Sequence, residues 1–184
     1  MRLRIVVVLI AFTAATFAQA PGKTAQIEWL KDLRETETWS AAKLTPGEQK
    51  EIIDQLESTS FDTPESWQNE VRVRRISLGE TEGLLIRGTK LLCGATGNCE
   101  TWVFRRFAGK WLNLFDREAP IVSGFGFSSE ATGGIRDFYV SSEISAGKEA
   151  QIQYKLGGRV YRQSECYEVA RDGAAEKVKK AACK

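Results

Sequence analysis

The sequence of 184 residues contains no histidine. This absence excludes Ser-His-Asp and Cys-His catalytic groups, zinc sites with histidine ligands, and pH switching by an imidazole. Carboxylates remain as candidate acids and bases, and those near predicted strand ends are Asp116, Glu118, Glu130, Asp137 and Glu143. Their spacing predicts no pair that faces across one glycosidic bond. We therefore interpret them as solvated loop charges, the usual state of surface carboxylates.

A net positive charge is also absent once residues 1–20 are set aside. These residues combine two early arginines, an apolar run from Ile5 to Phe17 and an Ala-Gln-Ala segment, which together predict a signal peptide cleaved before Pro21. Cleavage lowers Lys+Arg from 26 to 24, which equals the Asp+Glu count of 24, so the mature chain has a net charge of 0. We expect a secreted or periplasmic protein with no membrane span after cleavage and no nucleic-acid partner.

Cysteine is scarce, with 4 residues, but the number is even. In an exported chain this favours disulfide bonds. Cys93 and Cys99 enclose Gly-Ala-Thr-Gly-Asn, a segment that folds back easily, so we predict that they pair. Cys166 and Cys183 then pair by elimination. The five-residue spacing and the expected export disfavour a zinc-thiolate site, and neither a metal nor a cofactor is predicted.

A hairpin is predicted after Cys99, where two aromatic and β-branched runs flank Ala108-Gly109. This turn places Trp102 opposite Phe115 as a cross-strand aromatic pair. Both faces of the hairpin are largely apolar, which is typical of strands near the middle of a sheet.

A second hairpin is predicted from Ile152 to Cys166 around Gly157-Gly158. Alternation along its first strand gives one apolar face with Tyr154 and one polar face with Gln153, which we expect to contact water. The two hairpins are offset by about 49 residues, and each follows a short strand led by glycine, so we interpret the region as two similar units.

The N-terminal part carries helical signals from residue 24 to 58. Thr45-Pro46-Gly47-Glu48 combines an N-cap, a proline at the first helical position and a capping glutamate. Ile52, Ile53 and Leu56 give that helix one apolar stripe, which is typical of a helix packed on a sheet. Residues 59–70 are interpreted as a linker.

These patterns predict an α+β protein in which N-terminal helices pack on an antiparallel β-meander sheet built from two similar four-stranded units. The predicted segments are a signal peptide at 1–20, a helical segment at 21–58, a β domain at 71–169 and a basic Ala/Lys-rich tail at 170–184. The tail is expected either to form a short helix or to fray, although Cys183 indicates that it is tied down.

The segment Leu-Cys-Gly-Ala-Thr-Gly-Asn-Cys at residues 92–99, the aromatic strand after it and the later Tyr161-Arg162…Cys166-Tyr167 strand resemble a pattern in secreted bacterial proteins of unknown function. The resemblance covers about Val71 to Tyr167. It implies export but no activity.

The function expected from the sequence is that of a non-catalytic binding module for an unknown protein or cell-envelope ligand, of which an inhibitor of an exported hydrolase is one version. The alternative is a histidine-free hydrolase that uses carboxylates. The binding hypothesis places the site on the loop clamped by Cys93 and Cys99 and on two adjoining tryptophans: Gly94, Thr96, Gly97, Asn98, Trp102 and Trp111. Alanine at Thr96 or Asn98 is then expected to weaken binding and to leave the melting temperature nearly unchanged.

Overall fold

Two antiparallel sheets form the part of the fold that the structure describes. The computed structural model describes residues 43–56, 67, 70–115, 119–172 and 175–183. The predicted fold class is wrong: in this part of the chain a single eight-residue α-helix accompanies two five-stranded sheets, rather than several helices on one meander. The predicted signal peptide, residues 21–42, 57 and 58 of the predicted helical segment, and most of the predicted linker (residues 59–66, 68 and 69) lie outside the described residues.

The first sheet has the strand order β1-β2-β3-β4, and a short fifth strand pairs with β3. Its strands are β1 (Val71–Ser77), β2 (Glu82–Gly88), β3 (Cys99–Phe107), β4 (Lys110–Asn113) and β5 (Ile121–Val122). A 3₁₀ turn, Lys90–Leu92, leads from β2 to the disulfide-closed loop.

The second sheet is a continuous meander of order β10-β9-β8-β7-β6. Its strands are β6 (Gly124–Thr132), β7 (Ile135–Ser145), β8 (Lys148–Gly157), β9 (Val160–Asp172) and β10 (Ala175–Ala181). The two predicted hairpins therefore belong to different sheets, and the prediction of one meander sheet built from two four-stranded units is wrong.

The helix α1 (Pro46–Ile53) starts where the sequence predicts. Thr45 and Glu48 form a reciprocal capping box, and Pro46 occupies the first turn. Ile52 and Leu56 lie against the first sheet, so the predicted apolar stripe packs as expected.

Two apolar clusters cover opposite faces of the first sheet. The outer cluster joins α1 and Trp67 to that sheet and comprises Ile52, Leu56, Trp67, Val71, Val73, Leu84, Ile86, Leu92, Trp102, Phe104 and Trp111. The inner cluster lies between the sheets and comprises Leu78, Leu85, Val103, Leu114, Phe115, Val122, Ile135, Phe138, Val140, Tyr154 and Tyr161. Both faces of the β3–β4 hairpin are buried, so the first sheet is the middle layer. The prediction that this hairpin lies near the middle of a sheet is wrong for β4, which is an edge strand.

The outer edge of β4 is covered by polar side chains of α1 and of the turn that follows it. The Gln55 amide donates to the Trp111 carbonyl at 2.8 Å and accepts from the Asn113 N–H at 3.0 Å. Glu51 accepts the Trp111 N–H at 2.9 Å. These bonds satisfy backbone groups that would otherwise leave an open sheet edge.

The first hairpin has the predicted turn, with positive φ at both Ala108 and Gly109. The predicted Trp102–Phe115 pair is wrong, however, because β4 ends at Asn113. Beyond that residue the chain bends, so that Trp102 lies in the outer cluster while Phe115 lies in the inner one.

The turn of the second hairpin is displaced by one residue from its predicted position. Gly157 pairs with Val160, so the turn residues are Gly158, which has a φ of 74°, and Arg159. The polar face of this hairpin is also less exposed to solvent than predicted. Gln153 is buried and donates to Tyr139 Oη at 2.8 Å and to Asp137 Oδ2 at 3.3 Å.

The predicted helix or frayed tail at the C-terminus is wrong, because residues 175–181 form the edge strand β10. Ala181 lies opposite Cys166, and the chain reaches Cys183 two residues later. The Cys166–Cys183 bridge, with a Cα–Cα distance of 5.3 Å, ties this strand to β9 and confirms the predicted pairing.

Candidate functional site

The loop at residues 94–98, which we call the disulfide loop, is closed at both ends. Cys93 and Cys99 are bonded, with their Cα atoms 3.9 Å apart, which confirms the other predicted bridge. Inside the loop Gly94 N–H donates to the Asn98 carbonyl at 2.7 Å, and Gly97 N–H donates to the Gly94 carbonyl at 2.9 Å. Gly97 has a φ of 79°, a backbone conformation that glycine adopts at least cost. The loop is therefore ordered by covalent and backbone contacts.

Asn98 joins the disulfide loop to the second sheet. Its Nδ2 donates to the Glu143 carbonyl at 2.8 Å, and its Oδ1 accepts from the Glu143 N–H at 3.0 Å. Both hydrogen-bonding groups of the amide are thus used on the backbone of β7. This geometry makes Asn98 a structural residue, whereas Thr96 at the loop tip is exposed.

We expect Asn98→Ala to lower the free energy of unfolding by about 1–3 kcal/mol, because the backbone groups of Glu143 lose their partners in a partly buried place. Thr96→Ala is expected to change it by less than about 0.5 kcal/mol, since that side chain is exposed. Urea denaturation of both variants checks this difference. Equal stabilities would mean that the Asn98 contacts contribute nothing, and the sequence-based expectation for Asn98 would then be restored.

Three exposed apolar side chains lie near the disulfide loop, either along the chain or through strand pairing and hydrogen bonding. Leu91 is 79% exposed, Ile121 is 54% exposed and Ile144 is 57% exposed. Leu91 lies two residues before Cys93, and Ile144 directly follows the residue bound by Asn98. Ile121 is paired with Glu100, next to Cys99. We call the disulfide loop together with Leu91, Ile121 and Ile144 the loop surface.

Glu100 lies at the border of this surface and was not among the candidate acids and bases identified in the sequence. Burial raises the pKa of its carboxyl group above the ordinary value. The strand-like sequence around Glu100 does not indicate a position at this surface. That position results from the pairing of Glu100 with Ile121, which follows β4 in the chain.

The structure does not bring Trp102 and Trp111 to the loop surface. Trp102 is 3% exposed and Trp111 is 2% exposed, and both belong to the outer cluster. Trp111 lies opposite Arg106, seven residues along β3 from Cys99, which is about 23 Å at the rise of a strand. The two indoles therefore stabilise the core, and the accessible predicted residues are Gly94, Thr96 and Gly97.

A groove lies between α1 and the tip of the β3–β4 hairpin. It has a volume of about 680 Å³ and is lined by Gly47, Lys50, Glu51, Asp54, Gln55, Phe107, Ala108, Lys110, Trp111 and Leu112. Most of its polar side chains already have partners. Lys50 forms an ion pair with Asp54 at 2.7 Å, and Glu51 and Gln55 accept hydrogen bonds from backbone N–H groups of β4. We interpret the groove as the seam where the helix meets the sheet.

Glu48 anchors α1 to this seam. Its carboxylate accepts hydrogen bonds from the Thr45 N–H at 2.9 Å and from Trp111 Nε1 at 3.3 Å. Arg75 and Arg106 lie within 3.4 Å and 3.3 Å of it. The Thr45 backbone bond is the largest cause that lowers the pKa of Glu48 to about 2, and Trp111 and Arg75 act in the same direction.

We expect Glu48→Gln to lower the free energy of unfolding by about 1–2 kcal/mol at neutral pH, because charge-assisted hydrogen bonds are lost. The folded-state pKa of Glu48 lies below its ordinary value, so its ionised form stabilises the fold above about pH 4.5. This contribution should disappear as the pH falls from about 4.5 to 2. Denaturation at a series of pH values would measure the difference between the wild type and the variant.

Glu168→Gln is the matched control for the Glu48 variant, because Glu168 is an exposed carboxylate on β9. It removes the same charge without touching α1. A wild-type-to-Glu48→Gln difference that stays constant from pH 7 to pH 2 would contradict the proposed anchoring by the ionised carboxylate.

The candidate catalytic carboxylates are held by other contacts or lie apart. Asp116 and Glu118 lie outside the described residues. Asp137 is buried and accepts from Thr132 Oγ1 at 2.8 Å, with Lys155 Nζ at 3.6 Å.

Glu130 and Glu143 complete this set of carboxylates. Glu130 is exposed on β6. Glu143 lies opposite Glu149 across β7 and β8, but Arg171 binds the Glu149 carboxylate. This is an ion-paired position on a sheet face, not a pair of carboxylates across a substrate cleft.

Comparison of the chain with protein-family models, with curated proteins and with solved structures found no match. The resemblance to secreted bacterial proteins therefore stays a prediction. In the described residues, no helix is long and apolar enough to cross a membrane.

Proposed function

We propose that the protein is an exported, non-catalytic binding module that recognises a protein or cell-envelope ligand through the loop surface. The observation that carries this proposal is the position of the exposed apolar side chains. Of the four large hydrophobic residues that are exposed in the described part of the chain, three border the disulfide loop, and the fourth is Phe107. Exposed apolar groups gathered at one place are typical of an interaction site.

The rigidity of the disulfide loop supports the same function. The Cys93–Cys99 bond and the Asn98–Glu143 contacts fix the loop before any partner arrives. A pre-ordered loop loses less conformational entropy on binding, so more of the contact energy appears as affinity. The apolar side chains of Leu91, Ile121 and Ile144 would supply contact area, and the exposed backbone around Thr96 would supply polar contacts. Export, expected from residues 1–20, provides the oxidising surroundings in which both bridges persist.

A site-specific photo-cross-linking experiment tests the proposal. A photoreactive amino acid replaces Thr96 in one sample and Arg159, in the turn between β8 and β9, in another. We expect a discrete cross-linked product with the exported fraction of the source cells from position 96 and none from position 159. Leu91→Ser/Ile144→Ser should abolish that product, because it removes two apolar contacts while the loop stays closed.

Phe107→Ser is the matched control, since Phe107 is also exposed but lies at the opposite end of β3. It should leave the cross-linked product unchanged. If the product survives Leu91→Ser/Ile144→Ser, or forms equally from position 159, the loop surface is not the binding site.

A further inference from the structure

The free edge of the second sheet carries a local excess of lysine. β10 is the outermost strand of that sheet and includes Lys177, Lys179 and Lys180, all exposed. Lys180 lies 3.9 Å from Glu165. Lys177 and Lys179 have no ion-pair partner among the residues that the structure describes. This local charge contrasts with the expected net charge of zero for the mature chain.

The strand register places Lys177 and Lys179 on a common face. Lys177 lies opposite Ala170, which in turn lies opposite Lys148 on β8. Lys179 lies opposite Glu168, the single acidic residue in these two rows. Since directly opposite residues in antiparallel strands share a face, Lys148, Lys177 and Lys179 lie together with one glutamate.

The edge itself is ordered and open in the described part of the chain. Beyond the last ladder pair of β10, the Cys166–Cys183 bridge fastens the strand to β9. No described backbone group bonds to the outward side of residues 175–181, whereas the edge of β4 is covered by α1. A fixed edge strand with free N–H and C=O groups is a template for an added strand.

We propose that β10 binds an acidic, extended peptide segment of a protein partner, which adds to the second sheet as a sixth strand. Backbone hydrogen bonds to β10 would supply affinity. Carboxylates spaced two residues apart in the peptide would face Lys177 and Lys179, because alternate residues of a strand share one face. This edge is separate from the loop surface, and the inference does not depend on the proposed function.

Lysines on an edge strand have another established effect, which is to keep two edges from pairing with each other. The two effects make different predictions. If the lysines only prevent self-association, their removal should produce oligomers and should not change the affinity for an acidic peptide. If they recognise carboxylates, their removal should weaken that affinity.

The test uses the full mature chain and a fluorescent octapeptide of alternating Glu and Val, with binding measured by anisotropy. We expect saturable binding that weakens with added salt, because exposed charges are screened. Lys177→Gln/Lys179→Gln should weaken it about fivefold, the sum of two exposed ion pairs. Lys50→Gln/Lys110→Gln removes the same charge at the α1 seam and should leave the affinity unchanged.

A second peptide separates strand addition from simple charge attraction. It has the same sequence, but every backbone amide is N-methylated, so that neither edge of the peptide can donate ladder hydrogen bonds. It should bind at least about tenfold more weakly, since several backbone bonds are lost. Equal binding of both peptides would overturn strand addition.

Two other results would overturn the proposal. One is oligomer formation by Lys177→Gln/Lys179→Gln, measured by light scattering, with unchanged peptide affinity. The other is lysine-dependent sedimentation with vesicles of phosphatidylglycerol and phosphatidylethanolamine in the absence of peptide binding, which would assign the lysines to a lipid surface.

Discussion

Phe138→Ala is expected to lower the free energy of unfolding by about 3–5 kcal/mol, the range found when a buried phenylalanine is truncated. Phe138 is 0% exposed and occupies the centre of the inner cluster. Its ring centroid lies 4.9 Å from that of Phe127, 5.5 Å from that of Phe115 and 6.0 Å from that of Tyr161. Phe115 follows the last strand pair of the first sheet, whereas the other rings belong to the second sheet, so the resulting cavity would lie between the two layers. Urea denaturation followed by tryptophan fluorescence measures the loss.

Phe107→Ala provides the control for this variant. It deletes the same atoms from a side chain that is 49% exposed at the end of β3, so the expected change is within about 0.5 kcal/mol. If Phe138→Ala leaves too little folded protein to measure, Phe138→Leu leaves a smaller cavity and should cost less. Equal effects of Phe138→Ala and Phe107→Ala would mean that the rings around Phe138 do not join the sheets.

The sequence predicts local features of the fold well because their causes are local. The Ala108-Gly109 turn follows from a two-residue connection between apolar runs, and the start of α1 follows from its capping box. The Cys93–Cys99 bridge follows from a short loop that holds its ends together. Each of these signals is contained within about ten neighbouring residues, the range over which turn and capping chemistry acts.

The arrangement of the layers could not be predicted from local sequence, because it depends on contacts between elements that are far apart in the chain. The apolar faces of the two hairpins cover each other, and this brings Val103 and Tyr154 into one cluster. In the sequence, the same pattern is equally compatible with helices as the covering layer. The tail was also misinterpreted, since the helix-favouring alanines and lysines of β10 follow the ladder with β9 instead.

In the candidate site, too, the local features could be predicted from the sequence and the long-range contacts could not. The disulfide loop was predicted, but the role of Asn98 depends on Glu143, which lies 45 residues later in the chain. Leu91, Ile121 and Ile144 were not predicted as site residues, because exposure of an isolated apolar residue cannot be read from its neighbours. Tryptophan is common both in cores and in binding sites, so the sequence does not distinguish the two roles for Trp102 and Trp111. In the structure both residues pack in the cluster that α1 covers, and they therefore belong to the core.

Removal of the second bridge by Cys166→Ala/Cys183→Ala is expected to lower the free energy of unfolding by about 3 kcal/mol in the chain-entropy model, given its sequence separation of 17. The effect should be concentrated in β10, because this edge strand is paired with β9 alone in its sheet. Hydrogen exchange should show loss of protection in residues 175–181, while β3 and β7 remain protected.

Cys93→Ala/Cys99→Ala is the matched control, because it removes the other disulfide bond and does not touch β10. Its sequence separation of 6 implies a smaller loss of about 2 kcal/mol, and the exchange of β10 amides should remain as in the wild type. If β10 keeps its protection without Cys166 and Cys183, the ladder with β9 is sufficient to hold the strand. The bridge would then stabilise the protein through the unfolded chain alone, and the edge proposed to bind an acidic peptide would stay ordered without it.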